Sequence, residues 1–493
     1  MKEGVEGTPT ITEWLKRKMA VENGTAVAVD GMVMTYDEVT EMQTNLGRGG
    51  VTVRTNFDVL ERCWKDRPAI PNGKITNVAA EYIGETTDQK VARIREAMKR
   101  EGCQGLLITD LMSIAWITNK RGEDIRQTPV FIAFLFITMD DMQIFREATE
   151  FIGYLKKQEG RIMADAKHTA YTIYNIIKDR ALDMPSPVMA MKAVKNAKEI
   201  SGFKESMKRD GVAMVRFLRW LTPTQGMLNT GEPITEVSAS EKLQEFRKAS
   251  PEWLDGSFDT ICGYGEHGAI VHYSATKDTD IPLRPEGLVL IDSGAQYTDG
   301  TTDITRTIAL GPLTDDMRRA YTLVLKANIA LATTPFPAGT NGTQLDAIAR
   351  AELWKGGMHY MHGTGHGVGW RLAVHEGPQR ISMNWCPAPL REGMTITDEP
   401  GVYFEGQFGV RTENTMLVVK DGETAFGTFL RLEPLTLCPI DTTPIVKDML
   451  TAAEIAWLND YHAKVQAALL PHLTDEMDRN WLITACKLLT PNS

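Results

Sequence analysis

Two stretches of this chain read as strand, turn, strand, and each brings two carboxylates to the strand ends. In the first, the apolar run Leu288-Val-Leu-Ile leads to Asp292, and Asp303 follows beyond the turn-rich stretch Gly294 to Thr301. In the second, Met394-Thr-Ile-Thr-Asp leads to Glu399-Pro-Gly. The chain then reverses around Gly406 and Gly409, and Val410-Arg-Thr leads to Glu413. Paired strands lie about 5 Å apart, so each unit can gather its two carboxylates at one place. Alternation sets Arg411, Glu413 and Thr415 on one face. Four anions in one pocket repel, so they must hold a cation or take up protons. Carboxylate-rich sites suit hard or borderline divalent ions such as Mn²⁺, and shared carboxylates bridge metals about 3.5–4 Å apart in hydrolases.

The histidines add to this. His362-Gly-Thr-Gly-His366-Gly-Val-Gly has the spacing of a helical metal pair. Its interleaved glycines will not hold a helix, so it reads as an irregular loop or edge strand whose backbone approaches something closely. His272 and His375 are further candidates. Each feature has an ordinary alternative: an Asp at a strand end is usually a turn former, and a lone His beside apolar residues is usually structural. The glycine run lacks the lysine of a phosphate loop, and no H-E-x-x-H pair occurs. The chemistry therefore rests on the conjunction.

The 493 residues are enough for about three domains. An amphipathic helix over Asp88 to Glu101, a strand from Gly105 and an apolar strand over Val130 to Ile137 make the second region α/β. A long helix is expected from Asn196 to Trp220, then strands and Gly-rich turns from Phe258 to about Pro439, and a helical tail over Ala453 to Leu469. The expected division is 1–80, 81–191 and 192–493. A net charge of −10 with no basic cluster argues against nucleic acid or an anionic membrane as main partner. The longest apolar run falls far short of the ~20 residues of a membrane span. The opening MKEGVEGTPTITEW does not read as a secretory signal. Six scattered cysteines with no CxxC pair suit reduced thiols in a cytoplasmic enzyme.

Three runs carry a resemblance: IDSGAQYTDGTTDITRT (291–307), HGTGHGVGWRLAVHEGP (362–378) and TDEPGVYFEGQFGVRTEN (397–414). Together they resemble aminopeptidase P, the Xaa-Pro aminopeptidase family, in its eukaryotic cytosolic form. Weaker likeness extends through residues 257–273, 193–199, 115–125 and 64–68. The resemblance implies an α/β (α+β) chain with a C-terminal pita-bread catalytic domain behind creatinase-like α/β domains. The SGFxGSAG-like and WTDGRY-like runs of the family's larger front domain have no counterpart, so that domain is expected to be shortened.

The resemblance implies two divalent ions, Mn²⁺ first with Zn²⁺ or Co²⁺ as alternatives, held by Asp292, Asp303, His366, Glu399 and Glu413. Asp303 and Glu413 would bridge, Asp292 would be terminal on one ion and His366 on the other. Glu399 would take a water's proton, His272, His362 and His375 would handle protons or contact substrate, and Tyr403 and Arg411 would lie on the substrate side. The implied activity removes the N-terminal residue from peptides with proline second, in a homodimer-forming enzyme. The rivals are prolidase, which cuts Xaa-Pro dipeptides on the same fold, and a non-catalytic peptide-binding module.

Overall fold

The computed structural model describes residues 7–222 and 233–490, so the first six residues of the opening segment lie outside it. The chain forms two compact units. One comprises residues up to Val78 with Glu85–Ile125 and Val130–Lys192. The other runs from Ala193 onward and takes in Ala79–Gly84 and Arg126–Pro129.

In the first unit, helices Ile11–Glu22 and Tyr36–Gly47 start at capping boxes, Thr10 with Glu13 and Thr35 with Glu38. The short strands Ala26–Ala28 and Thr52–Arg54 pair in parallel beside them, over a small core of Met42, Leu46, Val51 and Val53. A five-stranded mixed sheet follows, ordered Met142–Phe145, Phe134–Thr138, Gly105–Ile108, Ile162–Ala164, Ala181–Asp183. Helix Thr87–Arg100 buries Val91, Ile94 and Met98, the face its periodicity predicts. The strand expected over Val130 to Ile137 begins only at Phe134. Upstream, the backbone is bound to one carboxylate instead of a ladder: Ile132 N–H donates to Asp124 Oδ2, and Asp124 N–H donates to the Val130 carbonyl.

The second unit opens with the 25-residue helix Ala197–Leu221, capped by Asn196 and Glu199. Its strands form two antiparallel sheets that matter for the site. One is ordered Ile261–Tyr264, Leu288–Ser293, Ile304–Ala309 and sets Asp292 opposite Thr305. The other is ordered Phe336–Pro337, Gly427–Pro434, Asn414–Thr424, Thr395–Asp398 and sets Asp398 opposite Asn414. Helices Asp315–Thr333, Gly342–Lys355 and Ala452–Leu469 contribute buried faces to the main core. The connection from Asp292 to Asp303 makes an excursion through Ala295–Tyr297 and Gly300–Thr301, which pair in a separate sheet with Trp253–Gly256. The helical tail has a further piece, Glu476–Ala485, that periodicity did not mark. All six cysteines are free, and no described helix is long and apolar enough to cross a membrane.

Candidate active site

The two carboxylate-bearing units meet as their pairing predicts. Asp292 stands near the end of the buried strand Leu288–Ser293, and Asp303 directly precedes its partner Ile304–Ala309. Glu399 follows Thr395–Asp398. Glu413 sits in the gap between strands Phe408–Arg411 and Asn414–Thr424, so Arg411, Glu413 and Thr415 do not share one continuous strand. The units are joined by backbone and side chain: Glu413 N–H donates to the Thr305 carbonyl at 3.1 Å, and Thr305 Oγ1 donates to Glu413 Oε2 at 2.8 Å. Thr397 Oγ1 donates to Glu399 Oε1 at 3.1 Å.

His366 enters on the short strand Gly365–Gly367. Its glycines have a steric reason, because a Cβ on Gly365 would overlap the Thr397 carbonyl oxygen and one on Gly367 the Glu376 carbonyl oxygen. His366 Nδ1 lies 3.0 Å from the Gly367 carbonyl. In the neutral imidazole, with its proton held there, Nε2 is left to face the acids, 3.4 Å from Asp303 Oδ2 and 3.5 Å from Glu399 Oε1; without a cation the same acids favour a proton at Nε2. Ligand atoms of Asp303, His366 and Glu413 all lie within 4.8 Å of one another.

Burial dominates the electrostatics. It raises the Glu399 carboxyl to about 7, with His366 and Arg411 pulling down and Asp303 and Asp292 pushing up. Burial also raises Asp303, against the hydrogen bond from His366, and holds Glu413 well above the usual carboxylate range with help from the neighbouring acids. At His366 burial opposes the charge, yet Asp303 and Glu399 lift it to about 9. Asp292 Oδ1 is buried with no hydrogen-bond partner. Such crowding of buried oxygen donors, one orphaned, with one imidazole and no thiolate, fits hard or borderline divalent cations.

Beside the acids runs a chain of polar contacts. Arg411 Nη2 donates to Asp292 Oδ2 and Nη1 to the Tyr403 hydroxyl, both at 2.7 Å. The Tyr403 hydroxyl, its pKa pushed by burial to about 12, lies 2.8 Å from His362 Nε2. His362 Nδ1 lies 2.7 Å from the Gly363 carbonyl, so Tyr403 is the donor to Nε2. Burial lowers His362 to about 3 and His375 to about 4, aided by Arg411 and His366 respectively, which keeps both imidazoles neutral. The His375 ring stands edge-on to His366, centroids 4.1 Å apart.

A cavity of about 470 Å³ opens onto this cluster. Every metal-ligand or catalytic candidate named in the sequence lines it, and of the two substrate-side candidates Arg411 does too, whereas Tyr403 stands behind His362 and Arg411. Sequence reasoning missed the apolar wall of Phe258, Ile261, Val271 and Val374, and two polar residues, Arg380 and Ser382. Only strand register could have found the latter pair, since Arg380 lies directly opposite His366.

Fold and cage together define a class of protein: a hydrolase of the pita-bread fold built around a carboxylate-rich metal centre. Residues 201–420 match the model of metallopeptidase family M24, 66–152 that of the creatinase/prolidase N-terminal domain, and 428–489 that of the C-terminal region of peptidase M24. A probable Xaa-Pro aminopeptidase P of Paracoccidioides brasiliensis is 34% identical over 98% of this chain and 85% of its own length. That of Neosartorya fischeri is 36% identical over 98% of this chain and 79% of its own. The solved X-prolyl aminopeptidase of Caenorhabditis elegans, described as a cytosolic enzyme with a di-nuclear active site, superposes with a TM-score of 0.93 at 32% identity, covering 99% of this chain and 85% of that one. The chain belongs to metallopeptidase family M24, in its Xaa-Pro aminopeptidase P group. An Xaa-Pro dipeptidase of Bacillus anthracis shares the fold at a TM-score of 0.58 and 24% identity, over 72% of this chain and 99% of its own.

Proposed function

We propose that this chain is a metal-dependent aminopeptidase that releases the N-terminal residue from peptides whose second residue is proline. The observation that carries it is the convergence of Asp292, Asp303, His366, Glu399 and Glu413 on one cavity. These five residues would hold two divalent cations, and Mn²⁺ is the ion we favour. When bound, the ions would lower the pKa of a shared water and polarise the scissile carbonyl.

The chain's own residues do the rest. Glu399 would accept the water's proton, a role suited to a carboxylate that lines the cavity and takes a hydrogen bond from Thr397 at one oxygen only. His375, neutral and with an N–H to donate, stabilises the developing oxyanion, and His272 on the same cavity wall assists. His362 is held in one tautomer by the Gly363 carbonyl and Tyr403, so it meets substrate with a fixed ring. Phe258, Ile261, Val271 and Val374 exclude water and offer apolar surface to a proline ring.

Arg411 is committed to Asp292 and Tyr403. It positions those groups and is itself no free receptor for a dipeptide's carboxylate. We further propose a three-part organisation, 1–80, 81–191 and 192–493, supported by the separate small core around Met42 and by family matches that fall in the later two parts with only a short overlap into the first. A cytoplasmic homodimer accords with the solved cytosolic relative and the family resemblance. The direct test is turnover of Arg-Pro-Pro by the Mn²⁺-loaded protein. Release of free arginine is expected, and a fully loaded protein that leaves the peptide intact would refute the reading.

A further inference from the structure

Two arginines line the active-site cavity, and their situations differ. Arg411 is buried and fully engaged with Asp292, Tyr403 and Thr305. Arg380 is exposed and, among the described residues, forms no ion pair. Its Nη2 donates to the Trp385 carbonyl at 3.2 Å, which leaves most of the guanidinium fork for another partner.

Its placement follows from register. His366 on strand Gly365–Gly367 pairs directly with Arg380 on strand Glu376–Ile381. Opposed residues of an antiparallel pair share a face and stand ~5 Å apart. Arg380 therefore rises on the same side as His366, beside the carboxylate cage and outside it. Ser382, one alternation further along, lines the same wall. A cation there repels a peptide's N-terminal ammonium and attracts a carboxylate, whereas the cage, its four carboxylates balanced by two divalent cations, carries little net charge. Arg380 therefore orients a short peptide, carboxyl end toward itself and amino end away from it. Each extended residue spans ~3.5 Å, so one residue beyond the proline carries a terminal carboxylate roughly 7 Å from the scissile carbonyl. That is the range of a long side chain rooted one strand spacing from His366.

We propose that Arg380 is a specificity residue that binds the C-terminal carboxylate of Xaa-Pro-Xaa tripeptides, and so favours short free peptides over amidated ones. Guanidinium and carboxylate match as a two-pronged pair. The proposal rests on the Xaa-Pro aminopeptidase reading, and the experiment keeps the two apart. KM and kcat are measured for Arg-Pro-Pro and its C-terminal amide on the wild type, Arg380→Gln and Arg380→Lys. Binding of the product Pro-Pro and of its amide is measured alongside by calorimetry. In the wild type, KM for the acid should be about tenfold below that for the amide, at similar kcat. The ratio should fall to near one in Arg380→Gln and recover in part in Arg380→Lys, with product Kd following the same pattern. Equal KM for acid and amide in the wild type, or an intact ratio in Arg380→Gln, would overturn the proposal. If neither peptide is cut, the peptidase reading fails, and product binding still decides the role of Arg380.

Discussion

At the scale of single residues, ligands and helpers should separate by what they lose. Asp303→Asn or Glu413→Gln removes an oxygen donor from the crowded cage and should lose metal and activity together, as read by metal content and turnover. His375→Ala should keep the metal and lower kcat by about 10²–10³, the usual worth of one oxyanion donor. Loss of metal from that variant would instead make His375 a ligand. A different histidine reports on the fold. His462 is buried behind the site, accepts the Ile440 N–H at Nε2 and is held by burial at about 4, below its usual 6.5. A depressed pKa gives stability that is complete above pH 6.5 and is lost as pH falls toward 4, about 3 kcal/mol in all. His462→Gln should flatten the fall in Tm between pH 6.5 and 4, and an unchanged slope would assign the acid sensitivity elsewhere. The cage residues were legible because each stands in a run whose strand-and-turn grammar fixes its place. Arg380 was not, because no local pattern says which strand will lie opposite His366.

Among elements, the sequence predicted the helices well where a cap and an apolar face agree, as at Thr87–Arg100 and Ala197–Leu221. It overreached at Val130, where an apolar run is buried without a ladder because Asp124 binds the backbone. It gave no hint of how the sheets are tied together. That task falls to Arg306 on strand Ile304–Ala309. Its buried guanidinium donates to the carbonyls of Thr305, Glu413, Cys438 and Pro439, to Asn414 Oδ1 and to the Tyr461 hydroxyl. One side chain thus fastens both carboxylate-bearing units to the helix Ala452–Leu469. Arg306→Met would strip these acceptors of a charged donor and leave the buried Glu413 carbonyl without the one it has here, at about 3–5 kcal/mol. Chemical denaturation should show the loss, and an unchanged midpoint would mean that other donors replace it.

For the molecule as a whole, function follows from what lies beyond the proline. Chelation should abolish turnover and Mn²⁺ should restore it best, because the clustered carboxylates cannot all stay ionised without cations. Activity in a thoroughly metal-free sample would sink the metallopeptidase reading. With metal present, Xaa-Pro-Xaa peptides should be cut with kcat/KM at least about tenfold above Xaa-Pro dipeptides, only about 1.4 kcal/mol of discrimination. Replacing the second-position proline by alanine should cost more than that. A side-by-side assay of Arg-Pro-Pro, Arg-Pro and Arg-Ala-Pro checks both, and faster turnover of the dipeptide would hand the activity to prolidase. Composition and motif order gave the class of fold at this scale. The assignment of short segments to units was beyond them: Ala79–Gly84 and Arg126–Pro129 join the catalytic unit through contacts remote in sequence.

The hydrogen bond between Thr305 and Glu413 closes a loop of 108 residues, and Arg306 reaches 155 residues forward to Tyr461. Closing such loops costs entropy before any contact repays it, and long-range β pairing is slow to form. A ribosome-bound chain that has reached Asp292 and Asp303 holds half a cage and no means of completing it. Hydrolytic competence therefore arrives only with nearly the whole polypeptide. A chain cut short before Glu413 would lack one wall of the cage, and with it the means to gather the ions that the other acids are placed to hold.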